Sequence, residues 1–521
     1  MPAFTDVEAG PRKSARRHSA RAKKSAADLL STNELYRKLV ALRAAVAKEG
    51  DETLDLWRDA LAGSAFAPGV ENLAHYLALR RRDLSELQPA LAAFGLSSLG
   101  RSDARVLAAL DALLATLGRL SGVATAPYPS PAARLEGAAE LGAAQERFFG
   151  RDADGPRTRI MATLPTEAGT DGAFIRRLVA AGMNCARINC AHDGPEIWKA
   201  MIAHVRAAAK SLKRDCRILM DIAGPKCRIE ALRLSGKTRF HRGDRFVLVR
   251  KLRDAHDSDA TVATISFPEI VSALKVGNEA WIDDGKIGAR VVSSAGGRAV
   301  LEIFSARAKG ERLRLEKGVN FPQVQLDLPP LGPSDLEALD FVARHADLVG
   351  FSFVQHPSDI AELEHELGKR RKRGPPQPLI LKIETLAAVQ NLPQLIVSAA
   401  ATRPVAVMIA RGDLAVELGF ARLSEIQEEM LWLCDAAHVP VIWATQVLDN
   451  LVAEGRPSRA EATDAAMSQR AECVMLNKGP FLVEGVGFLK DILRRMDRHQ
   501  DKKLARLGRL KSWTRLAIDP A

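Results

Sequence analysis

The sequence predicts an α/β fold: a (β/α)8 TIM barrel with a small β-barrel lid inserted after its third strand and a helical region ahead of it. Three observations carry this. Beyond residue 155, eight short apolar runs recur, each beside an amphipathic helical stretch. The runs are continuous rather than alternating, which implies burial on both faces, as in a parallel sheet. One interval, Asp221 to Leu348, abandons the helical pattern for alternating strands separated by Gly turns.

Taken in order, residues 1–24 are basic, rich in Ala and Ser, and have little to bury, which predicts a disordered tail. Residues 25–150 read as helical. Leu107, Leu110, Leu114 and Leu117 share a helix face behind Ser102 as N-cap. Gly95-Leu-Ser-Ser-Leu-Gly100 reads as a turn rather than a helix-hairpin-helix contact with DNA, and Pro127, Pro129 and Pro131 mark a linker. No chemistry is legible before residue 150. The barrel is expected over 151–228 and 330–499, with strands at Arg159–Thr163, Cys185–Asn189, Ile218–Asp221, Leu348–Ser352, Leu379–Ile383, Val405–Ile409, Val441–Ala444 and Cys473–Leu476. The insertion, 229–329, carries strands at Arg245–Val249, Val276–Ile282, Lys286–Val292 and Ala299–Ile303. It sits on the C-terminal rim, where a mobile lid over a site belongs. Residues 500–521 read as a second basic tail.

Composition excludes several classes. No apolar run approaches the ~20 residues needed to span a bilayer, and the N-terminus lacks the apolar core of a signal peptide. The six cysteines form no Cys-x-x-Cys pair, so reduced thiols in the cytoplasm are expected. Cys185 and Cys190 flank Arg187 without a metal or redox spacing and read as packed thiols. The formal charge of +12 suggests a polyanionic partner. Residues 1–24, however, carry seven Lys/Arg against two acids, and residues 491–521 carry nine against four. Nucleic-acid binding is therefore not expected except through the tails. Lys369-Arg-Arg-Lys-Arg373 is read as cations complementing a helix C-terminus.

The chemistry concentrates where barrel strands end. The second strand ends Arg187-Ile-Asn189-Cys-Ala-His192, and the third ends at Asp221 and runs on to Lys226 and Arg228. The fourth ends at Ser352, the fifth at Lys382-Ile-Glu384, the sixth runs into Arg411-Gly-Asp413, and the seventh ends at Thr445-Gln446. In a parallel barrel these ends converge on one face. Lys382 and Glu384, two apart on a strand, point to the same side. Glu384 and Asp413, on neighbouring strand ends without a His or Cys partner, suit Mg²⁺ or Mn²⁺. The backbone N–H groups of the Ala410–Asp413 turn can receive a carboxylate or phosphate. Arg187 and Lys382 add fixed positive charge, suited to a phosphoryl group or an enolate. Thr445 is either a proton relay or a helix N-cap.

These residues resemble the pyruvate kinase family. The likeness runs in family order through Arg187-Ile-Asn-Cys-Ala-His192, Asp221-Ile-Ala-Gly-Pro-Lys-Cys-Arg228, Ile282-Asp-Asp-Gly285, Lys317-Gly-Val-Asn-Phe-Pro322, Leu381-Lys-Ile-Glu384, Ala410-Arg-Gly-Asp-Leu414, Ala444-Thr-Gln446 and Arg456-Pro-Ser-Arg-Ala-Glu461, over about residues 157–490. It implies phosphoryl transfer from phosphoenolpyruvate to ADP, giving pyruvate and ATP. Glu384 and Asp413 would hold Mg²⁺, and Lys382 and Arg187 would act on the phosphoryl group. Ala410, Gly412, Asp413, Thr445 and Ser352 would bind substrate, with Thr445 near the proton that reaches the enolate carbon. Asn189, His192, Arg228, Lys317 and Asp284 would face the nucleotide, the last two coming down with the lid. A homo-oligomer through the barrel is also implied.

The chain departs from the family pattern in three places. At the monovalent-cation site Asn189 and Asp221 remain, but Ala191 and Ile222 replace two hydroxyl residues, and Lys226 stands where potassium-requiring members have Glu. Its ammonium can substitute for the cation, so K⁺-independent activity is expected. After the eighth strand Asn477-Lys-Gly-Pro480 replaces Ser-Gly-Glu-Thr, removing a carboxylate and adding a lysine. The segment after the last barrel helix is too short for the family's C-terminal regulatory domain, so sugar-phosphate control there is not expected. Two other classes compete with the kinase: a Mg²⁺-dependent lyase or decarboxylase of 2-oxo acids, and a non-catalytic phosphoenolpyruvate-binding relative.

Overall fold

The computed structural model describes residues 30–61, 67–123, 126–234, 236, 238–257, 259–324, 328–370, 374–502 and 504–505. The basic segment 1–24, the end of the run at 371–373 and residues 506–521 carry expectations that lie outside the described residues.

Strands β1 (Arg159–Thr163), β2 (Cys185–Asn189) and β3 (Arg217–Ile222) precede the insertion. The insertion holds β4 (Ile229–Leu234), β5 (Arg245–Val249), β6 (Thr261–Ile265), β7 (Glu279–Ile282), β8 (Ile287–Ala295), β9 (Arg298–Ser305) and β10 (Val319–Asn320). It is followed by β11 (Leu348–Phe351), β12 (Leu379–Ile383), β13 (Val405–Ala410), β14 (Val441–Ala444) and β15 (Cys473–Leu476). β1–β3 and β11–β15 close into one parallel barrel in the order β1-β15-β14-β13-β12-β11-β3-β2. All eight apolar runs are its strands, and all of their residues are buried except Asn189 and Arg217 at two ends.

The insertion is a curled seven-stranded sheet, β10-β7-β8-β9-β5-β6-β4. Its two ends approach through an antiparallel bridge between Arg228 and Gly318. Phe240, Phe246, Leu301 and Phe321 lie in its core. Strands β4, β6 and β10 add to the four expected from alternation, and a short helix, Pro268–Ala273, packs against β5 and β9.

Helices Thr32–Leu61, Ala67–Arg80, Leu87–Ala93, Val106–Leu120 and Pro131–Phe149 fill the N-terminal region. The buried face of Val106–Leu120 is set by Val106, Leu110, Leu113 and Leu117, one position out of phase with the expected Leu107 and Leu114, which are half-exposed. Leucines on both faces of this helix make either phase look plausible from sequence. Ser102 is not its N-cap: its hydroxyl donates to the Leu99 carbonyl at 2.6 Å, and a short 3₁₀ turn intervenes before Val106. The part of helix Pro131–Phe149 from Gly137 on belongs with the barrel. Phe148 and Phe149 join Cys185, Leu348, Ile380, Ala406 and Cys473, residues near the N-terminal ends of strands, and so plug the barrel floor.

The expected tail at 500–521 begins inside the fold. β16 (Gln500–Asp501) pairs with β17 (Leu504–Ala505), and the Lys502 ammonium lies 2.9 Å from Glu472 and 3.1 Å from Asp435. Two buried or half-buried carboxylates thus hold a lysine that composition alone assigned to solvent. Among the described residues no helix is long and apolar enough to cross a membrane.

Candidate active site

The C-terminal ends of the strands bring most of the predicted residues together. Their hub is Asp221, at the end of β3, which is 1% exposed. Arg187 of β2 donates to its Oδ2 from Nε at 2.8 Å and from Nη2 at 2.5 Å, and the Lys382 ammonium of β12 lies 3.2 Å away. Sequence placed Asp221 only at a monovalent-cation site; the structure makes it the shared counter-ion of both cations. Burial alone would raise its pKa, but Lys382 and Arg187 hold it below the ordinary carboxylate range. Room for this carboxylate comes from Gly350 on β11, where a Cβ would stand 2.6 Å from Asp221 Oδ1. Arg187 also donates from Nη1 to Thr163 Oγ1 at 3.0 Å. Of its five N–H donors, two are left for an anion in the mouth.

Lys382 is fixed on three sides. Besides Asp221 it donates to Ser352 Oγ at 2.6 Å and lies 3.3 Å from Glu384 Oε1. The Ser352 hydroxyl donates onward to the Ile222 carbonyl at 2.6 Å. Ser352, expected to bind substrate, therefore touches Lys382 and orients it. Glu384 Oε2 accepts from the Phe353 amide at 2.6 Å.

Lys226, on the loop after β3, donates to Asp413 Oδ1 at 2.7 Å. Burial opposes its charge, but the pairing with Asp413 holds its pKa above the ordinary lysine value, so it stays an ammonium. Glu384 and Asp413 fit a hard divalent cation. Burial, and then the like charge of Asp413 against the pull of Lys382, hold the Glu384 carboxyl above its ordinary range, a cost that a bound cation removes. The described residues contain no cluster of three or more metal-ligating side chains. A hard divalent cation of the Mg²⁺ kind takes one or two carboxylates from a protein and completes its shell with other oxygens and water, and the Glu384–Asp413 pair is such a donor set.

β13 leads directly into helix Arg411–Leu418. Gly412 N–H donates to Thr445 Oγ1 at 2.6 Å, so this amide is engaged by the threonine rather than free for a substrate anion. Thr445 has φ +64°, Gln446 +54° and Leu448 +55°. A β-branched residue in the left-handed region is strained by about 1–3 kcal/mol and persists only when its surroundings fix it. Arg411 does so, donating to the Ala444 carbonyl at 3.0 Å and the Thr445 carbonyl at 2.7 Å while paired with Asp464 at 2.6 and 2.8 Å. The Arg411–Asp464 clamp was not anticipated. It joins residues 53 apart, and a salt bridge of that span has no local sequence signal.

The insertion reaches this mouth at one turn. Asp283 and Asp284, both at φ +54°, and Gly285 form the β7–β8 connection, and a Cβ on Gly285 would lie 3.6 Å from Val416. Asp284 acts electrostatically on Lys226 and on Asp449. Lys317 is not joined to Asp284; it pairs with Asp283 at 2.9 Å. Arg228 turns toward the insertion, donating to the Glu316 carbonyl at 2.9 Å.

On the other side of Arg187 a cavity of about 300 Å³ opens, lined by Thr163, Asn189, His192, Asn477 and Lys478 among others. Partial burial, and then the positive charges of Lys478 and Arg228, hold His192 below the ordinary histidine pKa. Asn189 Oδ1 accepts from the Ala191 amide at 3.1 Å. In the loop that replaces the family's Ser-Gly-Glu-Thr, Asn477 reaches Asp449 at 3.4 Å.

Charge, strain and cavity thus mark one face of the barrel. A family profile described as "Pyruvate kinase, barrel domain" matches residues 155–481. Among curated relatives, the pyruvate kinase of Corynebacterium glutamicum is 33% identical over 326 residues, covering 62% of this chain and 65% of its own. Pyruvate kinase PKLR of Homo sapiens is 31% identical over 352 residues, 65% of this chain and 59% of its own. The pyruvate kinase of Agrobacterium vitis is 32% identical over 357 residues, 66% of this chain and 70% of its own. In the first two the chain spans less than two thirds of the relative's length.

Proposed function

The chain belongs to the pyruvate kinase family, and from that premise we propose that it transfers the phosphoryl group of phosphoenolpyruvate to ADP, yielding pyruvate and ATP. The observation that carries this is the Arg187–Asp221–Lys382–Glu384 network: two cations held in place by one buried carboxylate, beside a second carboxylate. The remaining N–H groups of Arg187 bind the phosphoryl oxygens. Lys382 faces the bridging oxygen, where negative charge grows as the bond between phosphorus and this enol oxygen breaks and a new P–O bond forms to an oxygen of the terminal phosphate of ADP. The enolate then takes a proton at its terminal carbon, on the side where Gly412 holds Thr445. Glu384 and Asp413 would hold Mg²⁺ or Mn²⁺, which supplies positive charge against the transferring phosphoryl oxygens. Asn189, His192, Arg228, Asp284 and Lys317 face the nucleotide in this reading, and the insertion acts as the lid over it. Lys226 supplies the charge that a monovalent cation gives elsewhere in the family, so turnover is K⁺-independent. A cytoplasmic location and self-association through the barrel belong to the same reading.

The test supplies phosphoenolpyruvate, ADP and Mg²⁺ to the full chain and follows pyruvate and ATP together. Equal amounts of both are expected, with turnover abolished in Lys382→Met and Glu384→Ala. Pyruvate without ATP would indicate hydrolytic or lyase chemistry. Binding of phosphoenolpyruvate with neither product would mark a non-catalytic relative.

A further inference from the structure

At the end of the barrel away from the active face, a cavity of about 160 Å³ lies beside the floor plug. Its walls are apolar and come from three places: Val70 in the first turn of helix Ala67–Arg80, Ala144 and Phe148 on helix Pro131–Phe149, and Ile396, Ala400 and Val405 around the entry to β13. All of these except Ala144 are buried. The walls are fixed by backbone contacts as well. Asn72 donates from Nδ2 to the Ala436 carbonyl at 2.8 Å, and a Cβ on Gly69 would collide with the Ala437 carbonyl oxygen.

The polar lining consists of Glu140, Arg147 and His438. Glu140 is half-exposed and Arg147 exposed, so they mark where the cavity opens to solvent. Glu140 is paired with His438, whose backbone is left-handed at φ +55°. A residue other than glycine keeps that conformation only when its surroundings fix it, and such residues gather where ligands are held. No residue of the Arg187–Asp221–Lys382–Glu384 network lines this space. Val405 begins β13 and Val439 lies just before β14, the ends of those strands opposite to Asp413 and Thr445.

We propose that this cavity is a binding site for a small neutral ring compound carrying one hydrogen-bonding group, of the phenol kind. An apolar space of this size takes a molecule of about one six-membered ring. Neutrality follows from the opening, where a carboxylate and a guanidinium stand together: a ligand of either charge meets its own sign there and loses hydration on entering the apolar part. The ring lies among Phe148, Ile396 and Ala400, and the hydroxyl donates to Glu140, whose carboxylate has acceptor capacity beyond its pairing with His438. The site is independent of the kinase reading.

The test is ligand-observed NMR with calorimetry on the full chain, with phenol, toluene, benzoate and benzylamine as separate probes. Phenol is expected to bind with millimolar affinity or better, and benzoate and benzylamine roughly ten-fold more weakly or not at all. Glu140→Ala brings phenol down to the affinity of toluene. Ala144→Phe and Ala400→Leu, which fill the space from different walls, each abolish phenol binding while the chain still melts cooperatively, so a folding defect in one leaves the other to decide. Phenol left unbound by the unaltered chain overturns the assignment, and so does phenol bound as well by the filled variants as by the unaltered chain. Benzoate bound as tightly as phenol overturns the ligand class. Phenol displaced by phosphoenolpyruvate overturns the site, because the probe would then lie at the active face.

Discussion

On the side of the mouth formed by β3, β11 and β12, Asp221 serves two cations, Lys382 has three partners and Glu384 is held by a backbone amide. On the side formed by β1, β2 and β15, Asn189, Asp193 and Lys478 border a cavity, and Lys478 has no ion pair there among the described residues. The first arrangement keeps its charges in place before any substrate arrives, which is what stabilising a brief charge requires, because no reorganisation is left to do at the moment of reaction. The second is left incomplete, as suits a site whose charge balance is supplied by the ligand. Substitutions should therefore act mainly on turnover on the closed side and mainly on affinity on the open side.

The sharpest break in that comparison is Lys382→Met. It should lower kcat by about 10³-fold and, by leaving Asp221 and Glu384 short of a counter-charge, lower stability by roughly 3 kcal/mol. Steady-state kinetics together with a denaturant titration would check both. A loss confined to KM would contradict the division. Next in size is the Arg411–Asp464 clamp. Asp464→Asn should cut kcat by about ten-fold or more through the left-handed Thr445 backbone, with KM for phosphoenolpyruvate little changed.

These two predictions also show where sequence was informative. Lys382 and Glu384 were legible because their period-two spacing at the end of a continuously apolar strand admits one reading of their direction. The eight barrel strands were legible for the same reason. Asp221 as hub, Ser352 as the group orienting Lys382, and the Arg411–Asp464 clamp were not, because each depends on partners 30 to 161 residues away. The backbone strain at Thr445 has no signal at all in residue type. In the insertion, β4 is half-exposed with a register shift after Ile229, and β10 is two residues long, so neither offers a readable alternation.

Two smaller effects sharpen the contrast through stability. Gly350→Ala would push a methyl into the Asp221 carboxylate and should destabilise by about 2 kcal/mol, with a loss in kcat larger than any change in ADP affinity. Beneath the insertion, Glu417 is bonded to Asn320 and pushed up to about 7 by burial, with Asp413 adding to the effect. A carboxyl raised above its unfolded value costs nothing while both states are protonated. Stability should therefore fall as pH rises from about 4.5 to about 7, by an amount of order 2 kcal/mol. Thermal melts of the chain and of Glu417→Gln across that range should converge at low pH and separate above it, the variant being more stable at pH 8. Parallel curves would contradict the assignment.

The central claim is that the closed side carries its own fixed cations, Lys226 among them, and needs no monovalent cation to complete it. The most direct measurement is pyruvate formation from phosphoenolpyruvate and Mg-ADP, titrated with K⁺ in a tetramethylammonium buffer, for the chain and for Lys226→Glu. The prediction is full activity of the unaltered chain without K⁺ and a K⁺ requirement in Lys226→Glu. A steep K⁺ activation of the unaltered chain would contradict it.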